Sequence, residues 1–474
     1  MMGIQPLVLW TDLLLFGLLG CMALAAWSAR GSEPMRAAWR RVGESGVGMT
    51  ALSLLMLFLA VGVLDSLHYR ERLAPAAGGP AAGEARAQLS TEVRSALDAL
   101  AAPLRTRVEK TYSAPLAYQL FSRQTVEGPD GIQRREFPRL KFGGASVKYP
   151  EEDLSGDIVG RIGMGLAMAA VTWAVFAAVL VKGVAMSRRV PVGAAWRAIW
   201  RGKGGLAWRA VLATLGVMCL LIGPLAALAT EYHVFGTDKV GQDVLFLTLK
   251  SIRTALVIGT LTTLVTLPLA VVLGILAGYV GGWVDDAIQY IYTVLNSIPS
   301  VLLIAAAVLM MQVVIDTHPQ WFETAAERAD ARLLALCVIL GMTSWTSLCR
   351  LLRGETLKLR ELEYVQAARA FGVSTTRILA RHVLPNLMHL VLIALVMDFS
   401  GLVLAEAVLS YVGIGVDPGT VSFGTMINAA RMELAREPMV WWSLVAAFIF
   451  MFVLVLAANL FADVVRDAFD PRAS

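Results

Sequence analysis

Nine stretches of this 474-residue chain are apolar for long enough to cross a lipid bilayer, near residues 8–28, 47–65, 160–184, 210–229, 254–278, 287–315, 332–349, 387–411 and 440–462. A helix of about 20 apolar residues matches the hydrocarbon thickness. Hydrocarbon offers backbone N–H and C=O groups no partner, so each run must close its own hydrogen bonds as a helix. The chain is 57% hydrophobic and only 16% charged, against roughly 45–50% and about 25% in a soluble domain. It has more apolar surface than a water-soluble globule can hide. The expected architecture is an all-α polytopic membrane protein with about nine transmembrane helices and a small extracytoplasmic insertion.

The first run is read as a retained helix. It begins Met1-Met2-Gly3-Ile4-Gln5-Pro6, has no basic residue before it and carries Asp12 inside it, whereas a secretory signal starts with positive charge and has a shorter apolar core. Basic residues in short loops set the orientation. Arg30, Arg36, Arg40 and Arg41 follow the first run; Arg188, Arg189, Arg197, Arg201, Lys203 and Arg209 precede the fourth, with no acid among them. Arg350, Arg353, Lys358, Arg360, Arg369, Arg377 and Arg381 lie between the seventh and eighth. With nine alternating spans all three loops fall on one side, the cytoplasmic one, which puts the N-terminus outside and the C-terminus inside. The turn Gly281-Gly282-Trp283-Val284-Asp285-Asp286 is the discordant piece: it is acidic yet expected inside.

Residues 66–159 are too polar to span and are expected outside. The stretch Pro75-Ala76-Ala77-Gly78-Gly79-Pro80 reads as flexible, and Leu89, Val93, Ala96, Leu97 and Leu100 recur at helical spacing, which predicts an amphipathic helix over roughly 85–110. The net charge of +5 includes no basic arm with interleaved aromatics, so nucleic-acid binding has no support. Cys21, Cys219, Cys337 and Cys349 sit far apart in or beside apolar runs, and the five histidines are scattered. Neither set has disulfide or metal-ligand spacing, and no metal or cofactor bound by this chain is expected.

The most informative stretch is Glu361 to Asn386, ELEYVQAARAFGVSTTRILARHVLPN. Good helix formers fill 361–371, with Ala367, Ala368 and Phe371 on or near one face. Gly372 supplies a left-handed helix end, Ser374 an N-cap for a second short helix, and Pro385 a block before the next span. Such a helix pair can enter a partner's groove or lie on lipid headgroups; spacing leaves both open. Gln366-Ala367-Ala368, then Gly372, then Leu384-Pro385 resembles the EAA loop of bacterial ABC-importer permeases, with Gln366 where that family has Glu and His382 where its pattern has Ile. Three further stretches resemble the C-type permease of dipeptide/oligopeptide/nickel importers. They are Phe235 to Val244 (FGTDKVGQDV), Tyr411 to Pro418 continuing to Ser422-Phe423-Gly424, and Asp463 to Arg472 (DVVRDAFDPR). The resemblance covers 192–474.

It implies a type I importer core of six helices over 191–474 with a cytoplasmic coupling loop at 350–386, after an unassigned extension at 1–190. It implies that Gln366, Ala367, Ala368, Gly372, Leu384 and Pro385 dock on a cytoplasmic ATPase in a bacterial inner membrane. It further implies two ATPase subunits, a B-type permease partner and a periplasmic substrate-binding protein. No G-x-x-x-x-G-K-S/T loop is present, and Gly202-Lys203-Gly204 lacks both the spacing and the hydroxyl, so ATP would be used by the partners rather than held here.

Asp398 and Glu406 lie within roughly 80° of one another on the eighth run. A carboxylate there must face protein or water, lining a translocation path or bonding a neighbouring helix. Asn296, Ser297 and Pro299 in the sixth run mark a gate on that path or a packing kink. Two other classes fit the bulk features: a membrane sensor using 66–159 as receptor, and a proton-coupled secondary transporter using Asp398 and Glu406. The sensor gives no reason for the loop at 361–386, and the secondary transporter predicts uptake abolished by uncouplers while ATP is maintained. The insertion at 66–159 would dock the binding protein or partner permease, or act as a spacer.

Overall fold

The computed structural model describes residues 4–29, 31, 33–72, 89–127, 133–202, 205–417 and 419–469. Strand β1 (Ile4–Leu7) leads into α1 (Trp10–Ala29), α2 (Glu33–Glu44) and α3 (Gly46–Ser66). The insertion holds β2 (His68–Arg72), β3 (Leu89–Ser95), α4 (Ala96–Leu100), α5 (Ala102–Thr106), β4 (Gln124–Glu127) and β5 (Gln133–Glu136). Then come α6 (Pro150–Arg188), α7 (Val192–Trp200), α8 (Trp208–Ala229), α9 (Val244–Val280), α10 (Gly282–Ser297), α11 (Ser300–Thr317), α12 (Ala325–Ser344) and α13 (Thr346–Arg360). The chain closes with α14 (Glu363–Ala370), α15 (Thr375–Ile378), α16 (Leu384–Val412), α17 (Phe423–Glu433) and α18 (Trp442–Phe469).

Each apolar run read from the sequence lies on helix. By length and composition seven helices among the described residues suffice to cross a bilayer, and eight if α12 and α13, bent 41° against each other, form one span; the apolar stretch of α1, Trp10–Leu24, is shorter. The 287–315 run is two helices, not one. Pro299 disfavours helical backbone at the residue before it, and Ile298 is extended (φ −94°, ψ 131°) between α10 and α11.

Helix α9 is the axis of the bundle, buried on most faces along its first half and packed by α3, α12, α13 and α16. The helices of the N-terminal 190 residues pack into the same bundle. Helix α3 lies against α8, α9 and α18, α6 along α8, and α1 against α9 and α12. Glycines let α6 and α8 touch: a Cβ on Gly165 would stand 2.5 Å from the Cα of Pro224.

Of the helix expected over 85–110, only the short α4 and α5 form among the described residues. Residues 85–88 lie outside the described set, as do Pro75–Pro80, and 89–95 is a strand. It pairs antiparallel with β2, His68 opposite Ser95, and β2 pairs with β1, Leu7 opposite His68. Thr91 and Val93 are β-branched and suit this strand, and Ser95 starts α4 by a capping box with Asp98. Pairing with a distant strand outweighs the local helical spacing. Strands β4 and β5 form a separate hairpin.

Candidate coupling site

Helix α13 carries the 361–386 segment and is pressed onto the C-terminal half of α9. Gly274 and Gly278, four apart, make that approach possible. A Cβ on Gly274 would meet the Cys349 carbonyl oxygen at 2.8 Å, and one on Gly278 would meet the Arg353 carbonyl oxygen at 2.7 Å. Small-xxx-small spacing lets helix backbones close up where lipid supplies no hydrophobic drive. The Gly-x-x-x-Gly spacing that signals this approach is visible in the sequence. At the α9–α10 turn, Gly281 and Gly282 both take positive φ. Asp285 receives Arg353 Nε and Nη2 at 2.6 and 2.7 Å, and Arg360 donates to the Tyr279 carbonyl at 3.2 Å. Asp285 of the acidic turn is thus paired with the basic segment packed on it.

Beyond α13 the first of the two short helices expected forms as α14, while the second, α15, is the opening of a long helix that continues into α16. Gly372 joins them at φ 74°, and the Val373 N–H donates to the Ala368 carbonyl at 3.1 Å. Ser374 stands at the N-cap of α15 without a side-chain capping bond. Val365, Ile378 and Val383 are buried in one cluster with Tyr292, Trp345, Leu348 and Leu352. Ala368 packs on that same cluster, so it faces inward, away from Ala367 and Phe371. Phe371 is 86% exposed at the tip. Exposed Gln366 donates to the Glu361 carbonyl and carboxylate, both at 3.3 Å.

Pro385 does not interrupt the helix as expected. A π turn, Leu379–Val383, precedes it, with the Leu384 N–H donating to Leu379 five residues back. Thr375–Val412 runs as one helix, because the wider turn absorbs the ring and the missing donor. Asn386 Nδ2 bonds the His382 carbonyl at 2.6 Å and the Tyr364 hydroxyl at 3.0 Å, tying α14 to the foot of α16. The result is an anchored plug with an exposed aromatic tip.

The three polar residues expected on the path have different surroundings. Glu406 is 1% exposed and accepts from the Ser410 and Ser422 hydroxyls at 2.6 and 2.8 Å. Ser422 also caps α17 through a reciprocal bond with Thr425, and a Cβ on Gly424 would lie 2.9 Å from Glu406 Oε1. Glu406 therefore fastens α16 to α17 and touches no open surface of this chain. Asp398 is half-buried. Asn296 is exposed at the end of α10, where its Oδ1 accepts from Thr346 Oγ1 at 3.1 Å. That bond joins the α10–α11 break to the α12–α13 bend.

At the opposite end of the bundle from the plug, the FGTDKVGQDV segment makes the turn into α9. Asp243 caps α9, accepting from Leu245 and Phe246. The insertion is threaded into this turn. The Glu109 N–H donates to the Gly241 carbonyl at 2.9 Å, and Gly241 has φ 79° with no room for a Cβ beside the Glu109 backbone. The Thr237 hydroxyl accepts from the Ser113 N–H at 2.7 Å. His233 Nδ1 is 2.8 Å from Asp243 and its Nε2 3.5 Å from Glu109; the longer contact is an ion pair beyond good hydrogen-bond length. Burial works against the His233 charge, but Asp243 and Glu109 outweigh it and push its pKa up to about 9. Burial likewise opposes the Glu109 charge, yet His233 and the N–H groups of Lys141, Phe142 and Gly143 hold its pKa near 2.

Sequence reading missed a second polar cluster beside this turn. Arg253 of α9 reaches Asp12 at 2.6 Å, Thr11 at 3.0 Å and Ser66 at 3.2 Å, with Asp330 at 3.8 Å. His68 bonds the other Asp12 oxygen at 2.7 Å. Lys250, one turn earlier, bridges Asp65 and Asp98 at 3.0 and 2.8 Å. Asp12 was visible as a charge in an apolar run; its partner, 241 residues away, was not.

The described residues thus form an apolar helical bundle of membrane-spanning length, with an anchored, aromatic-tipped loop at one end and a structured turn at the other. The profile of the binding-protein-dependent transport system inner membrane component matches residues 270–474. The chain is 34% identical over 241 residues to the oligopeptide transport system permease OppC of Mycobacterium bovis, covering 51% of this chain and 76% of that one. It is 29% identical over 292 residues to the dipeptide permease DppC of Bacillus subtilis (59% and 85% covered). It is 32% identical over 240 residues to the glutathione permease GsiD of Pectobacterium atrosepticum (51% and 73% covered). A solved inward-facing MetNI methionine ABC transporter aligns at TM-score 0.37 and 15% identity, over 48% of this chain and 98% of that one, too loosely to bear on the fold. The chain belongs to the ABC-importer permeases of the peptide-transport family, multi-pass membrane subunits that are not themselves enzymes.

Proposed function

We propose that this chain is one of two unlike permeases in a bacterial inner-membrane importer for peptides or a similar small solute. Its C-type character pairs it with a B-type permease, two ATPases on the cytoplasmic side and a substrate-binding protein outside, with the N-terminus outside and the C-terminus inside. ATP is bound and hydrolysed by those partners. The carrying observation is the plug at 361–386, buried on Val365, Ile378 and Val383 and exposed at Phe371. A rigid lever of this kind transmits the closing of two ATPases to α13 and α16, because a ligand drives a conformational change only by differing in affinity for the two states. Gln366, Ala367, Gly372, Leu384 and Pro385 shape the lever, and Ala368 helps anchor it. Asp398 and Asn296 contribute to the path at the surface that the second permease completes. The insertion, held on the turn into α9, offers its outer face to the binding protein.

The test is site-directed crosslinking in membranes from Ala370→Cys, exposed beside Phe371, on a background lacking Cys21 and Cys219. Capture of an ATPase subunit that weakens when ATP is trapped or removed supports the assignment. Labelling of the same cysteine by an impermeant reagent from outside intact cells refutes it.

A further inference from the structure

Helix α7 has three faces, and protein covers one. Ala195 and Ile199 are buried against Val181, Val184, Ala185 and Leu212 of α6 and α8. Next round the helix come Val192, Trp196 and Trp200, four apart and 56%, 37% and 49% exposed, the two indoles in edge contact at 5.7 Å. Beyond them lie Arg197 and Arg201, also four apart and both exposed; Arg197 Nε donates to the Gly193 carbonyl at 3.2 Å, leaving its outer amino groups forward. No carboxylate occurs anywhere in residues 188–209.

Helix α2 continues this collar. Its Ala38 and Val42 are buried while Arg36, Trp39 and Arg40 are exposed, but Arg40 pairs with Glu44 at 2.9 Å and Arg36 stands 4.0 Å from Glu33, so α2 adds an indole and little net charge; the Ala207 N–H donates to the Gly43 carbonyl at 2.8 Å. Both helices sit at the ends of their spans away from the insertion, at the end that carries the plug. A stripe of indoles beside a stripe of guanidiniums, on a helix joining two spans, matches the boundary where acyl chains give way to phosphate. Arginine is well suited to phosphate oxygens because its planar fork can bond two at once.

We propose that α7 is a seat for anionic phospholipid, with Trp196 and Trp200 among the upper acyl chains and Arg197 and Arg201 on headgroup phosphates. The acid-free cationic stripe selects lipids of net negative charge over zwitterionic ones. Each arginine near such a surface favours it roughly fivefold. The seat lies apart from the plug and does not depend on which solute is carried.

The test places the complete purified transporter in mixed vesicles with brominated phosphatidylglycerol or brominated phosphatidylcholine. The fluorescence of the W196F/W200F variant is subtracted from wild type to isolate the two indoles. The expected result is at least fivefold more effective quenching by the brominated anionic lipid at low salt. That preference falls towards one in R197Q/R201Q and in 1 M salt. Equal quenching by both lipids, or none by either because protein covers the indoles, overturns the proposal. Mass spectrometry of the intact complex gives a second readout that does not need the tryptophan variant. Retained phosphatidylglycerol should drop in R197Q/R201Q, and unchanged retention counts against the seat.

Discussion

Raising the pH should loosen the insertion from the turn into α9. His233 is the cation of that clasp, its side chain 4% exposed between Asp243 and Glu109. Its pKa stands at about 9 in the folded chain, against an ordinary 6.5. The folded state therefore holds the proton more tightly than the open state. The stabilisation is complete below about pH 6.5 and vanishes as pH rises through 9, and full protonation is equivalent to about 3 kcal/mol. Between pH 7 and pH 10 about 2.5 kcal/mol of it is lost, roughly a 70-fold rise in the open population. The assay is hydrogen exchange at the Lys141, Phe142 and Gly143 amides, which donate to the Glu109 carboxylate at 2.9, 2.7 and 3.2 Å. Corrected for base-catalysed intrinsic exchange, their protection should fall by that factor, and His233→Gln should abolish the pH dependence. Protection that stays flat from pH 7 to 10, or a fall that survives in His233→Gln, would refute the reasoning.

Arg253→Gln should lower stability in detergent by about 3–5 kcal/mol, because it leaves Asp12 buried without its cation; adding Asp12→Asn should recover most of the thermal midpoint. Gly278→Val should force α13 off α9, since a Cβ there already lies 2.6 Å from that of Thr356; the readout is transport lost while ATPase subunits still co-purify. Phe371→Ala should shift unfolding by less than about 0.5 kcal/mol, as an exposed side chain, yet reduce solute-stimulated ATP hydrolysis in proteoliposomes; normal coupling would remove Phe371 from the lever. Glu406→Ala should cost about 1–3 kcal/mol by stripping acceptors from two buried hydroxyls, and Glu406→Gln should cost less, both measured by thermal unfolding.

The spans were legible because their signal is local: length and apolarity set them, and the surrounding medium enforces helix. The plug was legible for the same reason, since Gly372 and the run of helix formers act within a few residues. Where the reading failed, the deciding partner was distant in sequence. Residues 89–95 had helical spacing but found β2. Pro385 had the look of a stop, and a π turn accommodated it. The face of Ala368 was set by Val365, Ile378 and the α13 cluster beneath it. Asp398 and Glu406 looked alike as carboxylates in one apolar run, and only the packing of Ser410 and Ser422 separates them.

The ionic stitching of α1, α3 and the insertion onto α9 and α12 has a practical consequence for anyone wishing to transplant the N-terminal 190 residues. Grafted onto a shorter relative, residues 1–190 would bring Asp12, Asp65 and Asp98 to a host that must supply Lys250 and Arg253. It must also offer a bare glycine at position 241 to admit Glu109. A chimera without all three would expose stranded acids and a blocked groove, so this segment is transferable only together with its receptor surface.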